Sequence, residues 1–342
     1  MIIVTSLTFA TIYKGIASAK YAVYVLVPLP YFLLTVLLIK GMTLEGHTVG
    51  WTYLFSPDWS KLFTLKIWSD AASQVLFSSG LAQITVIKFA SHRNDDDPLL
   101  MSTILLPLMN FATSIFAAVS LFSFIGYASH HTGIPINDLP LSGMDLTFVV
   151  YPALLNTLPF PQIWAVIFFL MMVMLGLGSE YIYIECLSAL AHGTLSQRFN
   201  LKYSPKQFTF FICCVILLIN CVIFASSSGY FWLEMVDHYA SGVNLIIFLF
   251  LQLIVFVYLL PLEDLKDRVN LYGEKFPDLY EIPLKIICPI FALLLAAITI
   301  MNEIKSPTTT GSAVGDFLGY SIMATPTIML LIFLFIDCRK RN

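Results

Sequence analysis

Long, nearly uninterrupted runs of apolar residues dominate the hydrophobic pattern of this chain. A helix needs about 20 apolar residues to cross roughly 30 Å of hydrocarbon, and a helix satisfies its own backbone groups in lipid. The pattern predicts an all-α polytopic membrane protein with about eight full transmembrane helices plus an N-terminal stub. The predicted spans are Tyr21–Ile39, Trp68–Ser91, Leu99–Tyr127, Ile163–Leu190, Phe208–Ala225, Val243–Leu262, Pro283–Met301 and Phe317–Ile336.

Two connections between the predicted spans are long, at residues 40–67 and 128–162, and both are rich in Gly, Pro, Trp and Tyr. Loops of this length usually carry structure or function. No low-complexity segment divides the chain. Residues 1–342 are therefore predicted to form a single transmembrane domain.

Composition supports a bilayer as the surrounding medium. Apolar residues make up 58% of the 342 and charged residues 11%, whereas a soluble chain of this length needs far more polar surface. The net charge of −3, with no basic stripe interleaved with aromatics, predicts no nucleic-acid partner. The sequence has no Gly-x-Ser-x-Gly, phosphate loop or His-Glu-x-x-His motif, so we expect no enzyme activity and no organic cofactor.

The 18 lysines and arginines are distributed asymmetrically around the predicted spans. If the C-terminus is cytoplasmic, Lys40, Lys61, Lys66 and Lys305 lie outside and the other 14 lie inside. Basic residues accumulate on the cytoplasmic side of membrane proteins. The sequence therefore predicts a cytoplasmic C-terminus and places both long loops outside the cell.

This orientation brings residues 1–13 into the membrane from the outer side. At about 1.5 Å per residue they reach roughly 20 Å, which is less than the hydrocarbon thickness. Met1 would then lie inside the bilayer, and the sequence predicts an N-terminally truncated chain. The alternative is that residues 1–13 lie tilted at the membrane interface.

The predicted span Trp68–Ser91 contains Ser78-Ser79-Gly80 at its middle, where a helix can unwind. Unwound backbone at membrane depth is tolerated where it lines a cavity or is buried in protein. Its freed carbonyls can coordinate a cation, and the new helix N-terminus can face an anion. On these residues alone, tight packing of small side chains against a neighbouring helix is the favoured interpretation.

A family resemblance makes this segment more specific. Trp68-x-Asp70-Ala71-Ala72-x-Gln74-x-x-Phe77-Ser78-x-Gly80, followed by Phe89-Ala90-Ser91, resembles the sixth helix of the neurotransmitter:sodium symporter family, also called solute carrier family six. Further matches follow in order at Lys14-Gly15-Ile16, Pro30-Tyr31, Asn110-x-x-Thr113-Ser114, Phe148-Val149-Val150-Tyr151-Pro152 and Leu175-Gly176-Leu177. The resemblance runs from a stub of the fourth helix to the twelfth. It implies a partial inverted-repeat bundle like that of the bacterial leucine transporter.

The resemblance implies a sodium-coupled, chloride-assisted symporter of amino acids, neurotransmitters or related small solutes, acting by alternating access in the plasma membrane. Sodium-binding positions fall on Ser78 and Asn110 for a first site and on Leu175 and Ser179 for a second, and their neutral oxygens suit this hard cation. Chloride-binding positions fall on Gln74, Ser78, Asn110 and Ser114, whose donors suit a buried anion. Substrate-binding positions fall on Phe77, Ser79, Gly80, Gln83, Ser179 and Glu180.

Three positions depart from the family pattern. Gly178 stands where many animal relatives have an acidic residue, and Gln252 where a glutamate is frequent. Glu180 is about 200° from Gly178 around the helix, so it does not replace the missing carboxylate. A carboxylate in the membrane costs about 2.5–3.5 kcal/mol and therefore needs a partner or a role. Glu180 either favours a cationic substrate or takes up a proton, or is a structural group neutralised by a neighbouring helix.

The resemblance also implies that the first three helices of the family fold are missing, and with them about half the ligands of each sodium site. A partial site does not replace an ion's hydration shell, so we expect the chain alone not to transport. The alternative is an inactive regulatory or dominant-negative membrane partner, associated with other transporter subunits. The solute stays open among neutral amino acids, which are the default, monoamines, glycine-like osmolytes and cationic amino acids.

Overall fold

The computed structural model describes residues 2–12, 23–91, 98–139, 143–199, 203–259, 262–271, 275–305 and 313–341. These segments are helical and contain no β-strand. The predicted all-α polytopic class is confirmed. The α-helices of five residues or more in these segments are α1 Ile2–Ile12, α2 Pro28–Met42, α3 His47–Phe55, α4 Leu65–Ser78, α5 Ile84–Ala90, α6 Leu99–Thr132, α7 Tyr151–Leu155, α8 Pro161–Phe199, α9 Pro205–Ile219, α10 Gly229–Val236, α11 Asn244–Ile254, α12 Leu262–Leu271, α13 Cys288–Lys305 and α14 Ala313–Arg341.

Several of these helices continue through π-helical turns, which are rare in proteins and frequent at functional sites. The π-helical turns of the described segments are Leu146–Val150, Asn220–Phe224, Asp237–Val243, Val255–Leu259 and Pro283–Ile287. They extend or join α-helices, because the helix path does not break where the hydrogen-bond spacing widens, and all but Leu146–Val150 lie within helices of membrane length. In this way α10 and α11 form one span, Gly229–Leu259.

Six helices of the described residues are long and apolar enough to cross a membrane, and they correspond to six of the eight predicted spans. They are Val23–Met42, Leu99–Thr132, Pro161–Ser196, Pro205–Phe224, Gly229–Leu259 and Asp278–Lys305. The predicted span Phe317–Ile336 lies within α14, a helix of 29 residues. The remaining predicted span, Trp68–Ser91, is divided between α4 and α5.

Both long connections contain helical structure. Residues 40–67 include α3 and the 3₁₀ turn Trp59–Phe63, and residues 128–162 include the turn Ile136–Asp138 and α7. The expectation that loops of this length carry structure is met.

The chain divides into two compact units, each described below by itself, and the single-domain organisation of residues 1–342 stays a prediction. The first unit comprises residues 1–59 and 108–217. Its main core brings α2, α6, α7 and α8 together around buried Leu37, Phe124, Leu155 and Phe168. Tyr151 stacks on the Phe168 ring with 4.4 Å between centroids. Stacked aromatics bury large apolar areas and fix the relative rotation of the helices that carry them.

A second core in this unit joins α8 to α9 and α1. Tyr181 and Ile184 on α8 pack against Cys213 on α9, and Phe9 of α1 packs at the edge of the same cluster. A hydroxyl pair, Ser188 with Thr209 at 2.7 Å, ties α8 to α9. Hydroxyl bonds between apolar helices satisfy groups that would otherwise be unpaired in lipid.

The second unit comprises residues 60–107 and 218–342. Its core is formed by Leu76 of α4, Leu245 and Ile246 of α11, and Leu295 and Ala296 of α13. A hydroxyl contact of 3.0 Å between Ser69 and Thr299 fastens the first half of α4 to α13. The first half of the interrupted helix, α4, is therefore held by α11 and α13.

Two polar junctions lie at opposite ends of the long helices of this unit. At one end His238 Nε2 lies 3.1 Å from Glu303 Oε2, and the next residue, Tyr239, is fully buried against Tyr320. At the other end Glu281 pairs with both Lys266 and Lys285. Pairing lowers the cost of placing these charges near apolar surface.

Candidate functional site

The interruption predicted at Ser78-Ser79-Gly80 is present. The first half, α4, ends at Ser78, and α5 begins at Ile84. Between them Gly80 has φ +68° and Ala82 has φ +61°, both in the left-handed region. A right-handed helix cannot contain such residues, so the helical hydrogen-bond ladder stops here. The segment is therefore an interruption between two helices and not one continuous helix.

Local sequence explains why the helix stops at this point. The hydroxyls of Ser78 and Ser79 both donate to the Val75 carbonyl, and such bonds compete with the helical ladder. The Gly80 amide donates to the Phe77 carbonyl at 3.2 Å, which is an i to i+3 bond of a tightening last turn. A β-carbon on Gly80 would lie 3.0 Å from Thr85 Oγ1. Both the left-handed φ and this close approach favour glycine.

The predicted ion and substrate positions of the second unit are contiguous at this interruption. Gln74 and Ser78 are one helical turn apart and share a face of α4. The Phe77 side chain is 49% exposed. Ser79, Gly80 and Gln83 follow in the turn itself, and each is partly buried.

The turn at Ala82 is held by α11. Ala82 packs against the core around Leu76, together with Leu249. Gln252 on α11 donates from Nε2 to the Ala82 carbonyl at 3.4 Å. Sequence reasoning treated Gln252 only as a departure from a family pattern. The contact was not predictable, because it depends on the packing of residues 170 positions apart.

The predicted positions of the first unit include two on α6. Asn110 and Ser114 are one helical turn apart, and the Ser114 hydroxyl donates to the Asn110 carbonyl at 2.9 Å. The neighbouring Thr113 hydroxyl forms a 2.7 Å hydrogen bond with Tyr31 of α2. This bond fixes the rotation of α6 relative to α2, and therefore the face on which Asn110 lies.

The two residues predicted for the second sodium site are adjacent on α8. The Ser179 hydroxyl lies 3.3 Å from the Leu175 carbonyl oxygen, to which it donates. Gly176 and Gly178 lie between them, and a β-carbon on either would meet nothing within 4 Å. A hydroxyl oxygen and a carbonyl oxygen therefore lie side by side along a stretch of helix with open space beside it. Both are neutral oxygens, which suit a hard cation, and their role as sodium ligands stays a prediction.

Glu180 is half-buried on the same helix. Its carboxyl group interacts electrostatically with the Cys213 thiol on α9. The next residue, Tyr181, packs on that cysteine. The α9 side of α8 therefore forms part of the surroundings of Glu180. The sequence left two interpretations of Glu180, a group that acts on the substrate or a proton and a structural carboxylate next to another helix. Both stay open with this placement.

The structure thus brings together three pairs of predicted residues, each within one unit. They are Gln74 with Ser78, Asn110 with Ser114, and Leu175 with Ser179. The predicted first sodium site and the chloride site draw on residues of both units and stay predictions. Among the described residues, no group of three or more His, Cys, Asp or Glu side chains is placed to hold a metal ion. The candidate ion ligands are neutral oxygens and amides.

The chain is similar in sequence to a known protein family and to several curated proteins. The family model described as Sodium:neurotransmitter symporter family matches residues 1–341. The creatine transporter of Torpedo marmorata is 32% identical over 241 residues, which is 70% of this chain. The sodium- and chloride-dependent glycine transporter 1 of Xenopus laevis is 29% identical over 290 residues, or 84% of the chain.

A further relative is the sodium- and chloride-dependent neutral and basic amino acid transporter B(0+) of Mus musculus, 30% identical over 253 residues and 73% of this chain. The matches cover 39%, 46% and 39% of the lengths of the three relatives, in the order given. The chain therefore spans less than half the length of these curated relatives.

Proposed function

We propose that this chain, which belongs to the sodium:neurotransmitter symporter family, supplies part of a sodium-coupled, chloride-assisted symporter that works by alternating access. The family consists of transporters, so the expectation that the chain is not an enzyme is confirmed. The single observation that carries the proposal is the interrupted helix with left-handed Gly80 and Ala82. Backbone of this kind at membrane depth is stable where its freed groups face a bound ion or solute.

Sodium is the proposed driving ion. Leu175 and Ser179 supply two adjacent oxygens for one site, and Ser78 and Asn110 are the proposed contributions to another. A cation leaving water needs oxygens in place of its hydration shell, and neutral oxygens provide them without trapping the ion. The relatives named as sodium- and chloride-dependent support this proposal.

Chloride is proposed to bind among Gln74, Ser78, Asn110 and Ser114. Amide and hydroxyl groups donate hydrogen bonds, which a buried anion requires. Gln74 and Ser78 share one face of α4, and Asn110 and Ser114 share one face of α6, which supports the proposal that each pair binds the same ion. Gln74→Ala is expected to weaken the dependence of uptake on chloride, with sodium dependence retained.

The proposed solute is an amino acid or a related small molecule. Phe77, Ser79, Gly80, Gln83, Ser179 and Glu180 are the proposed contacts. The relatives are named for creatine, glycine, and neutral and basic amino acids. These compounds share a compact shape with a carboxylate and a basic nitrogen. A carboxylate at Glu180 would favour a basic nitrogen on the solute.

The 342 residues by themselves are proposed not to transport. They contribute only part of each ion site, and a partial site does not compensate for dehydration of the ion. Uptake of radiolabelled creatine, glycine, alanine and lysine into proteoliposomes, driven by an imposed sodium gradient, tests this. Residues 1–342 alone are expected to give no sodium-dependent signal, whereas the longest product of the same transcript is expected to give one.

Sodium-dependent uptake by residues 1–342 alone would remove the proposal of inactivity. Absence of sodium-dependent uptake by the longest product would remove the proposal of symport. The second candidate function is an inactive membrane partner of full-length relatives, and specific co-purification with such a relative would favour it.

We propose the plasma membrane as the location, with a cytoplasmic C-terminus and residues 40–67 and 128–162 outside. Single cysteines at Pro57 and Asn137, in a chain freed of its native cysteines, test this topology. Both are expected to react with a membrane-impermeant maleimide on intact cells. A cysteine at Asn342 is expected to react only after permeabilisation, and the reverse pattern would invert the proposed topology.

A further inference from the structure

Ala82 has an unusual backbone conformation for a residue with a β-carbon. Its φ of +61° lies in the left-handed region, which is sterically unfavourable for a residue that, unlike glycine, carries a β-carbon. Conformations of this kind persist where the surrounding structure fixes them. Two contacts fix Ala82: its side chain packs on the core around Leu76, and its carbonyl accepts the Gln252 amide.

Gln252 is suitably placed to hold this turn. It is half-buried on α11, three residues after Leu249, which contacts the same core. One face of α11 therefore presents both an apolar contact and an amide donor to the turn. Because helix interruption frees backbone carbonyls, and because an unpaired carbonyl is costly in apolar surroundings, a donor at this position stabilises the turn.

We propose that Gln252 is a positioning residue, whose amide holds the Ala82 carbonyl and so fixes the interruption that carries Ser78, Ser79, Gly80 and Gln83. The inference rests on the proposed function, since the geometry of this turn matters to transport only if these residues bind ion or solute. Gln252 itself touches neither; it acts through the backbone of Ala82. The alternative is that the apolar packing of the Ala82 side chain fixes the turn and the Gln252 hydrogen bond contributes nothing to it.

Hydrogen–deuterium exchange on residues 1–342 in lipid nanodiscs separates these arrangements. Gln252→Met keeps the side-chain length and removes the donor. The amides of residues 79–84 are expected to exchange about three- to tenfold faster in this variant, as loss of one hydrogen bond predicts. Exchange at 65–77 and 288–305 is expected to stay unchanged. Unchanged exchange at 79–84 would overturn the inference.

Ser69→Ala is the matched control. It removes the other polar tie of the interrupted helix, the 3.0 Å contact with Thr299. Faster exchange is expected near the start of α4, with residues 79–84 unaffected. If Ser69→Ala speeds exchange at 79–84 as much as Gln252→Met does, the turn responds to any loss of a polar contact on the interrupted helix. The proposal that Gln252 specifically holds the turn would then be wrong.

Gln252→Glu provides a rescue that a simple packing role would not show. A protonated carboxyl group donates to a carbonyl, whereas a carboxylate has no donor. Exchange at 79–84, corrected for intrinsic rates, is expected to match the parent chain at pH 3.5, below the usual Glu pKa of about 4.3, and to be faster than in the parent chain at pH 7. Fast exchange at pH 3.5 in this variant would contradict the inference.

Transport assays distinguish failure of the inference from failure of the proposed function. In the longest product of the transcript, Gln252→Met is expected to raise the sodium concentration for half-maximal uptake about three- to tenfold, as the same hydrogen bond predicts. An unchanged value removes the positioning role. Absence of sodium-driven uptake in the parent protein removes the proposed function, and the exchange results are unaffected by that outcome.

Discussion

Gly50 of α3 lies directly against the backbone of Gly126 in α6. A β-carbon on Gly126 would be 2.5 Å from the Gly50 nitrogen, and one on Gly50 would be 2.9 Å from the Gly126 nitrogen. Trp51, next to Gly50, donates from its indole nitrogen to the Ser123 hydroxyl at 2.8 Å. Residues 40–59 of the long loop before α4 are therefore attached to α6 by a glycine contact and a tryptophan bond, and they are an ordered part of the first unit.

Substitution at this contact is expected to destabilise the chain. Gly50→Ala places a methyl group where backbone already lies, and overpacking of this kind typically costs about 1–3 kcal/mol. The apparent melting midpoint in detergent is expected to fall. Gly193→Ala is the control, because a β-carbon there meets nothing within 4 Å. It lies inside α8, where alanine is favoured over glycine by about 1 kcal/mol, so its midpoint is expected to hold or rise. Equal loss in both variants would contradict the close contact.

The His238–Glu303 pair is expected to stabilise the second unit more than an exposed pair does. The Glu303 side chain is only 11% exposed, and hydrogen bonds to charged groups contribute about 1.5–3 kcal/mol. Glu303→Gln is therefore expected to lower the melting midpoint measurably. Asp70→Asn is the control, since Lys66 and Asp70 are 76% and 62% exposed and such pairs contribute about 0–1 kcal/mol. A larger effect at Asp70 would disprove this ranking.

Ser179→Ala is expected to impair sodium coupling and leave the fold intact. The substitution removes one oxygen of the Leu175–Ser179 pair, and an ion site that loses a ligand binds more weakly. The sodium concentration for half-maximal uptake is expected to rise at least about tenfold, as loss of about 1.4 kcal/mol of binding predicts. Ser188→Ala, at another position on α8, removes a hydroxyl bonded to Thr209 of α9 and is expected to change stability without changing the sodium response. An unchanged sodium response in Ser179→Ala would exclude the site.

Glu180→Gln tests the two interpretations of this carboxylate. If Glu180 recognises a basic nitrogen or takes up a proton, the variant is expected to lose preference for cationic amino acids or to lose pH dependence of uptake. Competition of lysine against alanine, repeated between pH 5.5 and 8.5, measures both. Glu185→Gln, five residues further along α8, is the matched control. Unchanged preference and pH profile in Glu180→Gln would identify the carboxylate as structural.

The order of apolar runs determined the class of this protein and most of its helices. Six predicted spans overlap membrane-length helices because about 20 apolar residues are a local property of the chain, although the helix Gly229–Leu259 begins 14 residues before the predicted span Val243–Leu262. The interruption was also locally encoded: serine hydroxyls bond back to Val75, and Gly80 adopts a left-handed φ without steric cost. The family followed from short motifs in a fixed order, which needs no knowledge of packing.

Tertiary structure decided which neighbours hold those elements. The left-handed φ of Ala82 has no signal in the sequence, since alanine normally avoids it, and its support comes from Gln252 and Leu76. The contact between Gly50 and Gly126 likewise joins two glycines that are 76 residues apart in the sequence. Local hydrophobic pattern and backbone preference depend on residues a few positions apart, so sequence determines them directly. Contacts between distant residues depend on how helices rotate and cross, and only packing sets that geometry.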